Sequence, residues 1–511
     1  MAAVDLWGGL GYLRAVTTPE APVAIAPKHA KLTPRQLLID GKWVSALSGK
    51  SFRPLNPATT EPLCEVAQAD AADIDLAVKA ARRAFDEGPW PKMNGGERGR
   101  ILHRLGELMY AHADEIAELE TLDAGKPISE SRNVDVPVAA EVIQYYAGWA
   151  SKITGETLPP RGESFIYTLR EPVGVVGAIV PWNFPLLLAM WKVGPALAAG
   201  CTMILKPSET TPLSVLKIGE LALEAGVPPG VLNVVPGPGR SAGNALVMHP
   251  GVDKIAFTGS TQVGQEIMRL AAGSVKRLTL ELGGKSPNVV FADADLDAAA
   301  RGAVAGIFYN KGEVCAAGSR ILVERSVHDE LVEKMKGRAA KLTQGDTLDP
   351  KTRLGPQISQ GQLDSILAHV KRGQAEGAKL ALGGARNTKA GPGYFLEPTI
   401  FTDATNEMSI AQEEIFGPVA TVIPFDNVEQ AIERANGTRY GLAAGVWTRD
   451  VKKAHRVARA IKAGTVWINS YNVYDPGASF GGYKQSGFGR ELGSAALESY
   501  TERKTVWVDL G

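Results

Sequence analysis

The sequence predicts an α/β fold of more than one domain, built on parallel sheets covered by helices. Three observations carry this. The chain has 511 residues, more than one hydrophobic core ordinarily serves, so two or three domains are expected. From about residue 172, short continuous apolar runs alternate with helical stretches, the pattern of βαβ units whose strands are buried on both faces. The alternation restarts near Asn288, which marks a second α/β unit.

The elements follow in chain order. Residues 1–33 are rich in Ala, Pro and Gly and show no sustained period; they read as an extension, laid over the surface or partly without fixed structure. Two amphipathic helical stretches come next. Ile74, Val78, Ala81 and Phe85 share one face, as do Ile101, Leu105, Leu108 and Ile116. His112 falls on the second face, where a lone His is ordinarily a packed residue and not a ligand. Residues 153–171 hold Pro159-Pro160 and Gly162, then alternating Phe165, Tyr167 and Leu169, which predicts a β-hairpin. The first strand series is expected at 173–180, 202–205, 231–235, 254–257 and 277–280. The second is expected at 288–291, 321–323, 419–423, 445–447 and 465–468. A last short strand is expected at 505–508. The hairpin and this last strand have no place in either sheet, and exposed strands invite pairing with another subunit.

Composition narrows the function classes. Lys plus Arg and Asp plus Glu both number 55, so nothing electrostatic points to nucleic acid or an anionic membrane. The stretch 173–191 is uncharged and long enough to span a bilayer, but Pro181, Asn183 and Pro185 suit a buried strand running into a helix. Three cysteines in so long a chain fit a reducing compartment, and no Cys/His cluster has metal-site spacing, so no metal is expected. No targeting signal is legible near the N-terminus, which makes the cytoplasm the default location.

Several residues can carry chemistry. Cys315 follows a helical run and sits among small residues, which suits either a nucleophile in a tunnel or a buried structural thiol. Glu281 ends an apolar strand and is followed by Gly283-Gly284. Desolvation there would raise its pKa toward that of a working base; the plainer reading is a surface Glu capping the next element. Gly259-Ser260 lies between a strand and a helix, where backbone N–H groups can hold a pyrophosphate. Gly237-Pro238-Gly239 resembles the start of a dinucleotide fingerprint but lacks its third glycine. Lys206 and Glu209, three apart after a strand, suit the hydroxyls of a ribose; Glu209 repels a 2′-phosphate, which favours NAD over NADP. Asn183, between Trp182 and Phe184, can donate to an oxyanion, or it can simply form a turn before Pro185.

Taken together these motifs resemble the aldehyde dehydrogenase superfamily. Phe257-Thr258-Gly259-Ser260-Thr261, Leu280-Glu281-Leu282-Gly283-Gly284-Lys285, the Cys315 segment, Glu413-Glu414-Ile415-Phe416-Gly417-Pro418 and Ser479-Phe480-Gly481-Gly482-Tyr483-Lys484 occur in the family's order, and the likeness runs from about Leu38 to the C-terminus. The resemblance implies a Rossmann-type NAD-binding domain (34–152 and 172–283), an α/β catalytic domain (284–484) and a small β oligomerisation domain (153–171 and 485–511), in a homodimer or homotetramer. It implies Cys315 as nucleophile, Glu281 as base, Asn183 as oxyanion donor with the Cys315 N–H, and Lys192 as support near Asn183. For NAD it implies Ile179, Trp182, Lys206, Glu209, Gly239, Gly259, Ser260, Leu282, Glu414 and Phe416. The implied reaction converts an aldehyde to an acid through a cysteine thioester that a Glu-activated water hydrolyses.

A substrate tunnel is expected from Phe184, Leu188, Trp191, Val314, Tyr471, Tyr474 and Phe480. That set is aromatic and uncharged, so apolar or aromatic aldehydes rank first. A quaternary ammonium aldehyde such as betaine aldehyde, held by cation–π attraction, ranks second. A CoA-acylating relative would share the thioester, but Glu281, poised to activate water, argues against it. A non-catalytic protein on the same scaffold is the remaining alternative. Val314 and Ala316 flank Cys315, so it is the sole thiol of its segment.

Overall fold

The computed structural model describes residues 25–511. Two large sheets organise them. In the first, Arg277–Glu281, Lys254–Thr258, Val175–Ile179, Thr202–Lys206 and Leu232–Val234 lie side by side in that order and are parallel. Thr258 sits beside Glu281, and Ile179 beside Lys206. The apolar runs have a direct cause: every residue of Val175–Ile179, Thr202–Lys206 and Lys254–Thr258 is buried, because helices cover both faces. Short antiparallel strands finish the edges, Leu37–Ile39 and Lys42–Val44 on one side and Gly487–Phe488 on the other. These have two or three residues each and leave no periodicity to read in the sequence. Because Gly487–Phe488 joins the first sheet, the chain enters the small sheet only at Thr501.

The second sheet has seven strands. Lys379–Leu382, Thr399–Thr402, Val419–Phe425, Arg320–Glu324, Pro287–Val290, Ala443–Trp447 and Thr465–Ile468 lie in that order, parallel except for the first. The first two lie outside the series of apolar runs: Lys379–Leu382 is a partly exposed edge strand that begins on a lysine, and Thr399–Thr402 has only two apolar residues between its threonines. The uncharged stretch at 173–191 is the strand Val175–Ile179 running into the helix Pro185–Ala199, all of whose residues are buried. No helix among the described residues is long and apolar enough to cross a membrane.

The early helices differ in one detail. Ala71–Asp86 buries Ile74, Val78 and Ala81 as its face predicts and starts on a capping box at Asp70 and Asp73. The second predicted helix is two, Gly95–Ala111 and Ala113–Ala124, broken at His112. Its buried line is Leu102, Leu105 and Met109, rotated from the predicted Ile101 and Leu108. His112 Nδ1 lies 3.2 Å from the Glu115 carboxylate and holds no ligand site.

A third sheet has Ser164–Pro172 in the middle, flanked by Thr157–Leu158 and by Thr501–Asp509. The hairpin and the C-terminal strand therefore pair with each other, along all nine residues of Thr501–Asp509. Phe165, Leu169, Trp507 and Leu510 are exposed on this sheet. Residues 1–24 of the N-terminal extension lie outside the described residues. Further along, the backbone N–H groups of Lys28, His29 and Ala30 donate to the Glu118 carboxylate at 3.1, 2.7 and 2.7 Å, which holds this stretch against the helix Ala113–Ala124.

Candidate active site

The site forms where the carboxyl ends of the first sheet face the second. Cys315 reaches it through a loop that few sequences adopt. After the helix Leu296–Phe308 the chain turns at Asn310, Lys311 and Gly312, with φ of 43°, 53° and 76°. Three consecutive left-handed residues are costly outside glycine and persist only when their surroundings hold them. At Gly312 there is also no room, since a Cβ would lie 2.2 Å from the Gly417 carbonyl carbon. On the other side, a Cβ at Gly284 would lie 2.2 Å from the Cys315 carbonyl oxygen. The second glycine of the Gly283-Gly284 pair thus lets the Glu281 strand end pack onto the cysteine backbone.

Glu281 is the last residue of Arg277–Glu281 and is buried, with neither carboxylate oxygen hydrogen-bonded. Gly481 packs against it, where a Cβ would come within 2.8 Å of Oε1. Burial pushes its carboxyl well above the usual range, the charge of Glu491 adds to this, and Lys192 and Arg490 oppose it. Burial likewise pushes the Cys315 thiol up to about 12, with the charges of Glu414 and Glu281 adding to it. Thiol and carboxyl are thus each biased toward the protonated form and lie within electrostatic reach of each other. An acid so raised becomes a strong base once it ionises.

Asn183 lies in the turn between Val175–Ile179 and the helix Pro185–Ala199 and is buried. Its amide Nδ2 donates to the Glu313 carbonyl at 2.9 Å, and its own carbonyl accepts from Asn310 Nδ2 at 2.8 Å. Lys192 does not bond Asn183. Its ammonium donates to Thr258 Oγ1 at 2.6 Å and to Glu491 Oε1 at 2.8 Å, fully buried. Thr258 is the register partner of Glu281, so this pair sits directly beside the base. Glu491 carries no sequence signal, because a Glu inside Gly489-Arg490-Glu491 reads as exposed.

The aromatic residues assemble as two groups. Trp191 packs on Phe480 (ring centroids 5.4 Å) and Tyr474 (6.0 Å), and Tyr474 meets Phe480 at 5.6 Å. Trp467, absent from the predicted tunnel, joins them at 5.7 Å from Tyr474. Phe184 stacks on Tyr309 at 6.0 Å, and Tyr309 is a second residue the sequence reading passed over, although it belongs to the Cys315 segment. Leu188 and Val314 are buried between these elements. Tyr471 acts mainly as a wedge: its hydroxyl donates to the Ala316 carbonyl at 2.9 Å, and its ring fills the space above Gly306, Gly318 and Gly445.

Most of the predicted dinucleotide residues lie at or just past the strand ends of the first sheet, and Glu414 and Phe416 reach Gly284 and Trp182 from the loop before Val419–Phe425. Lys206, the last residue of its strand, is buried and donates to the carbonyls of Pro207 and Gly237, both at 2.8 Å; burial pulls its ammonium down to about 8. Glu209 is exposed three residues on, and Gly239 faces open space. Ser260 caps the helix Thr261–Ala271, accepting from Val263 N, and Gly259 N donates to the Glu281 carbonyl at 3.0 Å. That helix start offers backbone donors to a diphosphate. Ile179 and Leu282 are buried beside it, Leu282 lying over Gly264. Glu414 accepts from Gly284 N at 3.0 Å, and burial raises its carboxyl to about 7. Phe416, at φ 55°, meets Trp182 edge-on at 5.2 Å. The chemistry of these groups suits a dinucleotide: carboxylates at Glu209 and Glu414 for hydroxyls and backbone N–H groups at the start of Thr261–Ala271 for a diphosphate. Among the described residues no group of His, Cys, Asp and Glu could hold a metal ion.

The sequence profile of the Aldehyde dehydrogenase family matches residues 43–506. The chain is 50% identical over 491 residues to mitochondrial aldehyde dehydrogenase family 2 member B4 of Arabidopsis thaliana, covering 96% of this chain and 91% of that one. It is similar to the NAD+ complex of an aldehyde dehydrogenase from Bacillus cereus, at TM-score 0.92 and 51% identity, covering 94% and 97% of the two chains. It is also similar to a cysteine-to-alanine mutant of AldA, an indole-3-acetaldehyde dehydrogenase of P. syringae solved with NAD+ and IAA. That match has TM-score 0.92 and 46% identity, with 93% and 96% covered.

Proposed function

The chain belongs to the aldehyde dehydrogenase family, and we propose that it oxidises apolar or aromatic aldehydes to carboxylic acids with NAD, through a thioester on Cys315. The observation that carries the mechanism is the convergence of the half-buried Cys315 thiol, an unpartnered buried carboxyl and the Asn183 amide, which is bonded to the loop that leads into Cys315. Glu281, ionised, takes the proton of Cys315 Sγ, and the sulfur bonds the aldehyde carbon. The oxygen that becomes negative is stabilised by the second N–H of the Asn183 amide and by the Cys315 backbone N–H. NAD supplies the hydride acceptor when bound. Lys206 and Glu209 would hold its adenosine ribose, Gly259 and Ser260 its diphosphate, and Glu414 its other ribose. Glu281 releases the thiol proton to solvent and, ionised again, takes a proton from water; hydroxide adds to the thioester, and Cys315 leaves as thiolate. Lys192, tied to Thr258 and Glu491, lies beside Glu281 and opposes the upward push on its carboxyl.

The rings of Trp191, Trp467, Tyr474 and Phe480 support an aromatic or apolar substrate. Because four rings in contact also suit a quaternary ammonium, betaine aldehyde is the second reading. The exposed edge of Thr501–Asp509, with Trp507 and Leu510 beside it, supports self-association into a dimer or tetramer. A cytoplasmic location completes the reading.

The test follows NADH absorbance with phenylacetaldehyde, indole-3-acetaldehyde, hexanal and betaine aldehyde, for the native chain, Cys315→Ala and Glu281→Gln. Turnover by the native chain, none by the Cys variant and a single burst from the Glu variant is the expected pattern. No NADH from any aldehyde, with or without CoA, refutes the function. The aldehyde with the highest kcat/KM decides the substrate class.

A further inference from the structure

Several buried charged groups lie outside the reaction just described, and two of them, Lys311 and Glu313, stand in the loop that leads into the nucleophile. Glu313, two residues before Cys315, is wholly buried. Its Oε1 accepts from the Ile358 backbone N–H at 2.9 Å, and its Oε2 lies 3.2 Å from Lys311 Nζ. Lys311 is also fully buried and donates to the Ala124 carbonyl, while the Asn310 N–H donates to Glu130 Oε2 at 3.2 Å. These contacts grip the three left-handed residues, Asn310, Lys311 and Gly312, whose backbone would otherwise relax. The Glu313 carbonyl, at the end of that loop, receives Asn183 Nδ2 at 2.9 Å and Asn310 Nδ2 at 3.4 Å. The position of Asn183 is thus set by a carbonyl whose own position depends on the Glu313 side chain.

We propose that Glu313 is a positioning residue for the oxyanion site, holding the loop 310–312 through Lys311 and Ile358 so that its carbonyl aims the Asn183 amide. This rests on the reading of Asn183 as oxyanion donor. A buried carboxylate that costs desolvation is retained here because it pins a strained loop from both sides, which an apolar residue of similar volume does not. The effect is expected on formation of the thiohemiacetal and not on NAD binding, since the polar partners of Glu313 are Lys311, Ile358, Asn183 and Asn310 and none is a dinucleotide residue.

The test is a double-mutant cycle on the pre-steady-state NADH burst. Glu313→Leu should slow the burst about tenfold or more, a fraction of what losing an oxyanion donor outright costs, with Kd for NAD unchanged. Glu313→Gln, which keeps an acceptor for Ile358, should recover most of the rate. In the Asn183→Ala background Glu313→Leu should cost nothing further. Lys311→Met releases the same loop from the other partner and should give the same coupling with Asn183→Ala, so the cycle can be completed even if Glu313→Leu does not fold. Additive losses, or a burst indifferent to both substitutions, overturn the proposal. A burst unaffected by Asn183→Ala overturns the oxyanion reading itself, and this proposal with it.

Discussion

Gly284 offers a perturbation whose magnitude can be read from the structure. A Cβ there would lie 2.2 Å from the Cys315 carbonyl oxygen, against 3.4 Å or more for ordinary contact. The backbone of Gly284 is not left-handed, so Gly284→Ala adds no conformational strain of its own. Its effect is purely steric: the Glu281 strand end and the Cys315 backbone must separate by more than an ångström. Overpacking of this kind costs about 1–3 kcal/mol of stability, which a protein of this size should tolerate. Displacing a reacting atom by an ångström is worth about 10²-fold in rate. The variant should therefore fold, with its NADH burst slowed about 10²-fold. Alkylation of Cys315 by iodoacetamide should change as well, because thiol and carboxyl no longer face each other at the native spacing. Gly337→Ala serves as control: its Cβ meets nothing within 4 Å, it sits exposed in the helix His328–Ala339, and it should leave the burst unchanged. A Gly284→Ala burst within twofold or so of the native rate would refute the steric argument, since it would mean the loop yields freely.

Three further outcomes follow from the same geometry. Burial holds the proton on Glu281 well above the usual carboxylate range, so steady-state turnover should rise with pH through that raised value, and the dependence should vanish in Glu281→Gln. A rate flat with pH in the native enzyme would speak against Glu281 as base. Lys285 is buried with no hydrogen-bond partner, and burial pulls it down to about 7. The folded chain therefore binds fewer protons than the unfolded chain between about pH 7 and 10.5, and stability is lost as pH falls toward 7. Lys285→Met should be more stable than native by about 1–4 kcal/mol at pH 6–7 in urea melts, the gap narrowing toward pH 10; equal stability at pH 6 would contradict this. Trp507→Glu places a charge on the exposed terminal strand, and light scattering after gel filtration should show a smaller assembly than for the native chain. An unchanged mass would place the subunit contact elsewhere.

The sequence by itself determined the two parallel sheets, because strands buried on both faces must be continuously apolar, as Val175–Ile179 and Thr202–Lys206 are. It also exposed Cys315, Glu281 and Asn183 as candidates, since each sits at a strand end or beside glycines that leave a legible mark. It said little about Gly487–Phe488, a two-residue edge strand, or Thr399–Thr402, whose threonine ends leave only two apolar residues to mark it. Nor did it disclose Glu491 or Glu313. A carboxylate reads as exposed unless its partners are known, and their partners, Lys192 for one, Lys311 and Ile358 for the other, include groups supplied from elsewhere in the chain. Local patterning shows which segments bury a face. Only tertiary packing decides which charges meet inside, because desolvation and pairing depend on distances that no local window contains.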